Sequence, residues 1–196
     1  MDVPRLTDVV REERRAQISD AAMRCFREHG FAHTSMADII AESGLSAGSI
    51  YSHFAGKAEL ARYASARALD RRREALRAAT GVPGAALTPM DALQLLLADK
   101  RADGDVVPAL LQIWAESTHD EELGQMAREN IAVVHGLVRE ALTPWAAAPD
   151  ASGAPRDADA ATDTVMVVMH GLVVRASVDP GCDLDALVAS VAAMLR

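Results

Sequence analysis

The sequence predicts an all-α protein in which a helix-turn-helix head precedes a larger helical body. Hydrophobic residues make up 50% of the 196 residues and aromatic residues only 4%. This composition favours packed helices over strands, which draw on Val, Ile, Tyr, Phe and Thr. A second observation is a pair of short helical patterns about a Gly-containing turn in residues 34–57. The chain has no run of 18 or more apolar residues, so we expect no membrane-spanning helix.

Charge is distributed unevenly along the chain. The formal net charge is −8, which by itself argues against a nucleic-acid partner. Residues 1–77, however, hold 13 Arg/Lys and 11 Asp/Glu, a net +2, whereas residues 78–196 hold 7 and 17, a net −10. The acidity therefore belongs to the second part, and the composition is compatible with a small DNA-facing segment on an acidic body.

Cysteine usage and the first residues indicate the compartment. Cys25 and Cys182 lie far apart and have no metal-ligand spacing. Residues 1–15 lack the apolar middle of a secretory signal. We therefore expect a reduced, cytoplasmic protein without a metal or cofactor. For Cys25, on the apolar face of a predicted helix, we expect a buried packing role rather than a redox role.

The first predicted helix follows Arg11, Arg14 and Arg15 and ends at His29. Gly30 can adopt the left-handed conformation that commonly ends a helix. Apolar residues recur at the spacing of one helical face; they are Ile18, Ala21, Ala22, Cys25 and Phe26.

Residues 35 to 54 predict two short helices joined by a turn. Ser35 stands three residues before Asp38, the spacing of a capping box. Gly44 can adopt a positive φ at the turn, and Ser46 can cap a third helix over 47–53. The residues predicted to point inward are Met36, Ile39, Ile40, Ile50 and Phe54.

The outward surface of the third helix is small at its start and polar at its end. The small side chains of residues 47–49 would let the helix lie deep in a major groove. Tyr51 and His53 are left on the outer side. Lys57 and the N–H groups at the start of the next helix form a natural phosphate site. The pattern therefore predicts a DNA-binding helix-turn-helix with phosphate contacts at its edge.

Each of these polar residues also has an ordinary structural explanation. Tyr51 could be a core aromatic residue with a hydrated hydroxyl, and His53 could be a surface residue. Lys57 could be a solvated lysine, but a cation at a helix N-terminus is disfavoured by the helix dipole. A bound phosphate would remove that penalty, which favours the DNA-binding interpretation.

A long helix is predicted from Lys57 through Ala79, and the Gly/Pro-containing stretch 80–89 ends it. We place the boundary between the head, residues 1–56, and the helical body, residues 57–196, at the start of this helix.

Four or five amphipathic helices follow in the body. The segment 162–178 is apolar nearly all round, so we expect it to be buried on more than one face and to form a dimer interface with 183–195. The first of these amphipathic helices is capped by Thr88, the next follows Asp103-Gly104-Asp105, and another runs from near Asp120 to Thr143-Pro144. A flexible loop is predicted at 146–159, and the last two helices follow it.

The segment 14–60 resembles the DNA-binding region of the TetR family of bacterial transcriptional regulators. Ile40 and Ser43 depart from the family pattern, which usually has alanine there. The matching residues are Ile18, Ala21-Ala22, Phe26, Gly30-Phe31, the run 34–39, the run 44–54, Lys57 and Leu60; residues 112–123 also resemble a stretch of the family's regulatory domains.

The resemblance implies an all-helical homodimer of about nine helices, three in the head and six in a ligand-binding and dimerisation body. It implies binding to a palindromic operator on double-stranded DNA, usually as a repressor, with release by a small molecule. By motif position, it implies phosphate contacts from Thr34, Ser35, Tyr51, His53 and Lys57, and base-facing positions at Ser46, Ala47, Gly48 and Ser49.

The effector site is predicted from mid-helix residues that could line a cavity, although ordinary packing explains each of them as well. A second function also fits the sequence: a small-molecule-binding helical protein, or an enzyme, whose helix-turn-helix is not used on DNA. We expect no enzyme, because no Ser/His/Asp order, metal cluster or Gly-rich phosphate loop supports catalysis. The candidate effector contacts are Leu97, Leu111, Trp114, Met126, His135, Met166 and His170.

Overall fold

The computed structural model describes residues 6–80, 86–102, 106–149, 153–179 and 181–194, and in these ranges the chain forms nine α-helices and no strand. Side chains are described except at residues 6, 7 and 99–110. The all-α prediction is confirmed. The helices are α1 (Leu6–His29), α2 (Met36–Ser43), α3 (Ala47–Tyr51), α4 (Lys57–Thr80), α5 (Pro89–Ala102), α6 (Val106–Glu116), α7 (Glu121–Ala146), α8 (Ala158–Val178) and α9 (Leu184–Met194).

The described chain divides into two compact units. The first unit holds the chain as far as Arg67 together with 108–127, and the second holds 68–107 and the chain from Arg128 onward. Most of α6 and the first turns of α7 therefore belong with α1, α2 and α3. The predicted functional boundary between residues 56 and 57 stays a prediction.

Local hydrogen bonds form the helix-turn-helix as predicted. Asp38 N donates to Ser35 Oγ at 3.2 Å, and Ser35 N donates to the Asp38 carboxylate at 2.8 Å, which completes the capping box of α2. Gly44 ends α2 with φ +69°, and Ser46 Oγ caps α3 by accepting from Ser49 N. α3 ends at Tyr51 rather than at His53, because the chain tightens into i to i+3 bonding after the last turn.

The core of the first unit joins the head helices to α6 and α7. The predicted inward residues Ile39, Ile50 and Phe54 are buried in it. Met126, a predicted effector contact, is also buried there. The fully buried members from α1 to α4 include Ile18, Phe26 and Leu60, and α6 and α7 add Ile113 and Leu123.

The second unit has its own apolar core, built from the end of α4 and from α5, α7, α8 and α9. The predicted cap at Thr88 is confirmed, since Thr88 and Asp91 form a second capping box at the start of α5. The core includes Leu93, Leu97, Val138, Leu142, Val165 and Met166.

The predicted start of α8 and the predicted end of α7 also differ from the structure. α8 begins at Ala158 instead of residue 162, because the Asp157 carboxylate accepts hydrogen bonds from Asp159 N and Ala160 N and caps the helix there. α7 continues through Pro144 to Ala146 instead of stopping at Thr143-Pro144. The lost N–H of Pro144 removes a single bond, and Ala147 N still donates to Thr143 O at 3.0 Å.

Helix α8 is buried on one face within the single chain. Val165, Met166, Met169 and Leu172 pack inward, whereas other apolar side chains of the same helix are exposed. Among the described helices, α8 is the one long and apolar enough to cross a membrane, a criterion that core helices of soluble proteins also meet. Within one chain α8 is buried on one face, and its burial on a second face by another copy stays a prediction.

Candidate nucleic-acid interface

The outward surface of α3 is exposed and small. Ser46, Ala47 and Gly48 are exposed, Ser49 is partly exposed, and a Cβ atom added at Gly48 would meet nothing within 4 Å. Tyr51, at the end of α3, is 54% exposed although its neighbour in sequence is fully buried. The backbone of α3 could therefore approach another surface closely, with the tyrosine hydroxyl at its edge.

His53 lies partly buried in the turn after α3. Its backbone carbonyl accepts a hydrogen bond from Arg15 Nη1 at 3.1 Å. The guanidinium of Arg15 lies 4.4 Å from the centroid of the Phe54 ring and 4.7 Å from that of Tyr63. Arg15 thereby holds the turn that carries His53 against α1.

The His53 imidazole is surrounded by cations from α1. Burial lowers the pKa of His53 below its ordinary value, and the charges of Arg11, Arg15 and Arg14 lower it further. Nδ1 of the ring is buried and finds no hydrogen-bond partner among the described residues. The ring is therefore neutral near pH 7, and a contact with a phosphate would use a hydrogen bond rather than a charge.

Thr34 and Ser35 lie next to each other but face differently. Thr34 is only 2% exposed. Its hydroxyl donates to Gly30 O at 2.7 Å, and Cys25 O is a second acceptor at 3.2 Å. The Thr34 hydroxyl thus stabilises the turn from inside and is not open to a phosphate in this conformation. Ser35 is exposed and caps α2.

The ammonium of Lys57, at the start of α4, lies against the turn that joins α1 to α2. Lys57 Nζ donates to the carbonyl oxygens of Phe31 at 2.8 Å, Ala32 at 3.1 Å and Thr34 at 3.3 Å. The sequence pattern did not predict these contacts. The unfavourable helix dipole at Lys57 was the available signal, since backbone carbonyls relieve that penalty as well as a phosphate does.

The two departures from the family pattern have local explanations. Ile40 is partly buried and packs on the core of the first unit. The Ser43 hydroxyl donates to Ile40 O at 3.0 Å and accepts from Leu45 N at 3.2 Å, so it stabilises the C-terminal end of α2.

Sequence reasoning also missed Gln112. Its Oε1 atom accepts a hydrogen bond from Phe31 N at 2.9 Å, across 81 positions of sequence. No local pattern carries a signal for such a contact.

The structure divides the seven predicted effector contacts between the two units. Leu97 and Met166 are buried in the core of the second unit. His135 Nε2 lies 2.9 Å from Asp163 Oδ1, and burial followed by the charge of Arg72 lowers the pKa of His170. Leu111, Trp114 and Met126 belong to the first unit, and the other four belong to the second.

A cavity of about 490 Å³ lies in the first unit, on the surface of α1. None of the seven predicted effector contacts lines it. Its lining residues are Asp8, Val9, Glu12, Glu13, Ala16 and Arg67.

Two family models match the chain. The model described as "Bacterial regulatory proteins, tetR family" matches residues 18–64, the helix-turn-helix and the start of α4. The model described as "BetI-type transcriptional repressor, C-terminal" matches residues 88–196, more than half of the chain. The chain belongs to the TetR family. The resemblance noted in residues 14–60 is confirmed, and with it a family of transcriptional regulators.

Curated TetR-family relatives share different extents of the chain. The transcriptional regulator TtgR of Pseudomonas putida is 51% identical over 49 residues, which cover 25% of this chain and 23% of that protein. BetI of Burkholderia mallei is 31% identical over 134 residues, covering 64% of this chain and 66% of that protein. The chain thus matches about a quarter of the length of the first relative and just under two thirds of the second.

Solved structures show the same fold at lower identity. A putative transcriptional regulator from Pseudomonas aeruginosa PAO1 has a TM-score of 0.73 at 23% identity, covering 94% of this chain and 89% of that one. FadR of Bacillus subtilis, in complex with stearoyl-CoA, has a TM-score of 0.69 at 21% identity, and the match covers 90% of this chain and 94% of that one. A putative transcriptional regulator from Saccharomonospora viridis, in complex with choline, has a TM-score of 0.68 at 19% identity, and the match covers 94% of this chain and 96% of that one.

Proposed function

We propose that this TetR-family protein is a DNA-binding transcriptional repressor that acts in the bacterial cytoplasm. In this proposal it binds a palindromic operator as a homodimer and is released by a small-molecule effector. The observation that carries the proposal is the surface of α3, where small outward side chains lie on a fully packed helix-turn-helix and Tyr51 stands exposed at the end. The match of residues 18–64 to the family supports the same conclusion.

The proposed DNA contacts follow from exposure. Residues 46–49 would face base edges, where the small side chains allow the backbone and the serine hydroxyls to enter the major groove. Tyr51 and His53 would donate hydrogen bonds to phosphates on either side of the groove. The Ser35 hydroxyl donates to the Asp38 carboxylate at 2.7 Å, so it would have to leave that partner to contact a phosphate.

An exposed apolar stripe on α8 supports the proposed dimer. Val167, Gly171, Val174 and Val178 lie at positions i, i+4, i+7 and i+11, which share one helical face. Val167 is 71% and Val178 70% exposed, and a Cβ atom added at Gly171 would meet nothing within 4 Å. A second copy packing on α8, together with α9, would bury this face and hold two recognition helices at the one-turn spacing of successive major grooves, about 34 Å.

The chemistry of the second unit bears on the effector. Relatives in complex with choline and with stearoyl-CoA show that the fold accommodates both kinds of ligand in other proteins. Quaternary ammonium ions are held in cages of aromatic rings. Trp145 is the one Phe, Trp or Tyr of the sequence within the residue ranges of the second unit, and the Arg156 guanidinium lies 4.9 Å from its ring centroid. For an effector bound in the second unit we therefore propose an apolar molecule rather than a choline-like cation, so that choline should give no thermal stabilisation.

Fluorescence anisotropy with labelled DNA from the region next to the protein's own gene tests the proposed function. We expect tight binding to a fragment with a palindrome, weakening as salt rises because phosphate contacts release counterions. A scrambled fragment of the same length and composition is the control. Equal and weak binding to both fragments would favour the second function, a helical protein whose helix-turn-helix is not used on DNA.

A further inference from the structure

The turn joining α1 to α2, residues 30–34, is held by two side chains from other helices. Lys57 of α4 approaches the carbonyl side of the turn, and Gln112 of α6 approaches its N–H side. All of these residues belong to the first compact unit.

The hydrogen-bonding capacity of Lys57 is already used within the protein. An ammonium has three N–H donors and no acceptor. The three donors match the three carbonyl oxygens of Phe31, Ala32 and Thr34, at 2.8, 3.1 and 3.3 Å. Nζ also lies 4.8 Å from the centroid of the Phe31 ring, a favourable distance for a cation and an aromatic face. A phosphate oxygen could bind Nζ only by displacing one of these carbonyls.

Gln112 binds the other backbone group of Phe31. Its Oε1 accepts from Phe31 N at 2.9 Å, while Lys57 binds Phe31 O, so both backbone groups of Phe31 are fixed from outside the turn. Gly30 beside it has φ +89°, a conformation that favours glycine, and a Cβ atom there would lie a tight 3.3 Å from Gln112 Oε1.

The position of the turn at residues 30–34 determines where α2 of the helix-turn-helix begins. Thr34 N donates to Gly30 O, the Thr34 hydroxyl bonds inside the turn, and the capping box of α2 begins at the next residue, Ser35. A shift of the turn would therefore shift the first turn of α2 relative to α3.

We propose that Lys57 and Gln112 are positioning residues that clamp the α1–α2 turn, and that Lys57 orients the helix-turn-helix instead of neutralising a DNA phosphate. This inference rests on the proposed function for its consequence in DNA binding, and it reassigns one of the phosphate contacts that the family resemblance implies.

The first experiment uses no DNA. The chain has two lysines, Lys57 and Lys100, so reductive methylation with formaldehyde and cyanoborohydride can be followed by mass spectrometry on the peptide that contains Lys57. We expect Lys57 to be methylated at least about tenfold more slowly in the folded protein than in guanidinium, because its nitrogen must first leave three carbonyls. Equal rates in the two states would overturn the clamp.

The second experiment compares Lys57→Arg and Lys57→Met by anisotropy over a range of salt concentrations. Arginine keeps the cation and binds phosphate in a bidentate way, but its larger planar guanidinium directs its donors differently from the compact ammonium that the three carbonyls surround. The clamp therefore predicts that both variants lose DNA affinity by about tenfold with an unchanged salt slope. A phosphate contact predicts wild-type affinity for Lys57→Arg. For Lys57→Met it predicts a salt slope smaller by about 1.8, because the proposed dimer carries two copies of Lys57. That result would overturn the proposal.

Gln112→Met supplies the independent variant, because Gln112 lies on α6 and has no predicted DNA contact. We expect it to lower operator affinity as well, and the double variant with Lys57→Met to lose less than the sum of the two single losses, since both side chains act on Phe31. Affinity is compared at a temperature at which circular dichroism shows every variant folded. If the wild-type protein binds no DNA, the proposed function fails, while the methylation rates still decide the clamp.

Discussion

Tyr51 and His53 lie two residues apart at the edge of the helix-turn-helix, but their surroundings differ. Tyr51 is more than half exposed, whereas the His53 ring is partly buried beside three arginines that, after burial itself, lower its pKa. A neutral hydroxyl and a neutral imidazole can each donate one hydrogen bond to a phosphate without adding a charge. Specific placement therefore matters more at this edge than net charge, in agreement with the modest +2 of residues 1–77.

Tyr51→Phe isolates the hydroxyl. We expect operator affinity to fall about tenfold, because a hydrogen bond to a charged phosphate is lost, while the salt slope stays the same because no cation is removed. The melting temperature should not change, since the side chain is largely exposed. Anisotropy and thermal unfolding measure the two quantities, and unchanged affinity would remove Tyr51 from the interface.

Asp38 makes the stability of α2 depend on pH. Hydrogen bonds from the Ser35 side chain and backbone lower the pKa of Asp38 below its ordinary value of 3.8. Because the folded-state pKa is the lower one, this stabilisation is fully present above the unfolded value and is lost as the pH falls through the folded value. We expect Asp38→Asn to be less stable than wild type near pH 6 and the difference to shrink towards about pH 3. Thermal melts across this range test it, and a difference independent of pH would contradict the assignment.

At the scale of the element, Arg15 determines how α1 holds the turn after α3. Its guanidinium stacks on Phe54 and Tyr63 and donates to the His53 carbonyl. The Tyr63 hydroxyl also donates to Glu12 at 2.5 Å, and burial followed by that contact raises the pKa of Tyr63 to about 12. One face of α1 thus carries both charged partners of the aromatic pair.

Arg15→Met should destabilise the protein by about 1–2 kcal/mol, because a partly buried cation loses two aromatic faces and a hydrogen bond. Arg24→Met on the same helix is the matched control. Arg24 pairs with Glu42 at the surface, so its loss should cost under about 1 kcal/mol. Urea unfolding followed by circular dichroism compares the two, and equal costs would show that the stacking adds nothing.

At the scale of the whole molecule, the exposed face of α8 sets the expected assembly. The apolar segment 162–178 also offers Val168 and Val173 as sites where a charge would break a dimer, but both side chains pack against the core of the second unit. Val167 and Val174 point away from it and are 71% and 44% exposed. A charge at Val168 would therefore disrupt the fold, whereas a charge at Val167 would test the interface.

Val167→Asp should convert a dimer to a monomer and lower operator affinity, because a charge buried in an apolar interface is costly and two linked half-sites bind better than one. Val10→Asp, at a 52% exposed valine of α1, is the matched control and should leave the mass unchanged. Light scattering coupled to size-exclusion chromatography measures the mass of both variants, and anisotropy measures their operator affinity. A Val167→Asp dimer would place the interface elsewhere.

The sequence by itself determined the features that depend on neighbours within about four residues. Local hydrogen bonds and helical periodicity set the capping boxes at Ser35 and Thr88, the glycine turn at Gly44 and the inward pair Ile50 and Phe54, so these features could be predicted. The family followed from the same stretch, because its motif is contiguous.

The tertiary structure alone decided the features that depend on what packs against a residue from far along the chain. Lys57 bonds to carbonyls 23 to 26 positions earlier, and Gln112 bonds to Phe31 81 positions earlier, so neither partner is written in the local pattern. The burial of the Thr34 hydroxyl and the exposure of Val167 likewise depend on which helices lie beside them. Side-chain spacing predicts which residues share a face, but the identity of the neighbour comes only from packing, since burial is a property of the assembled helices.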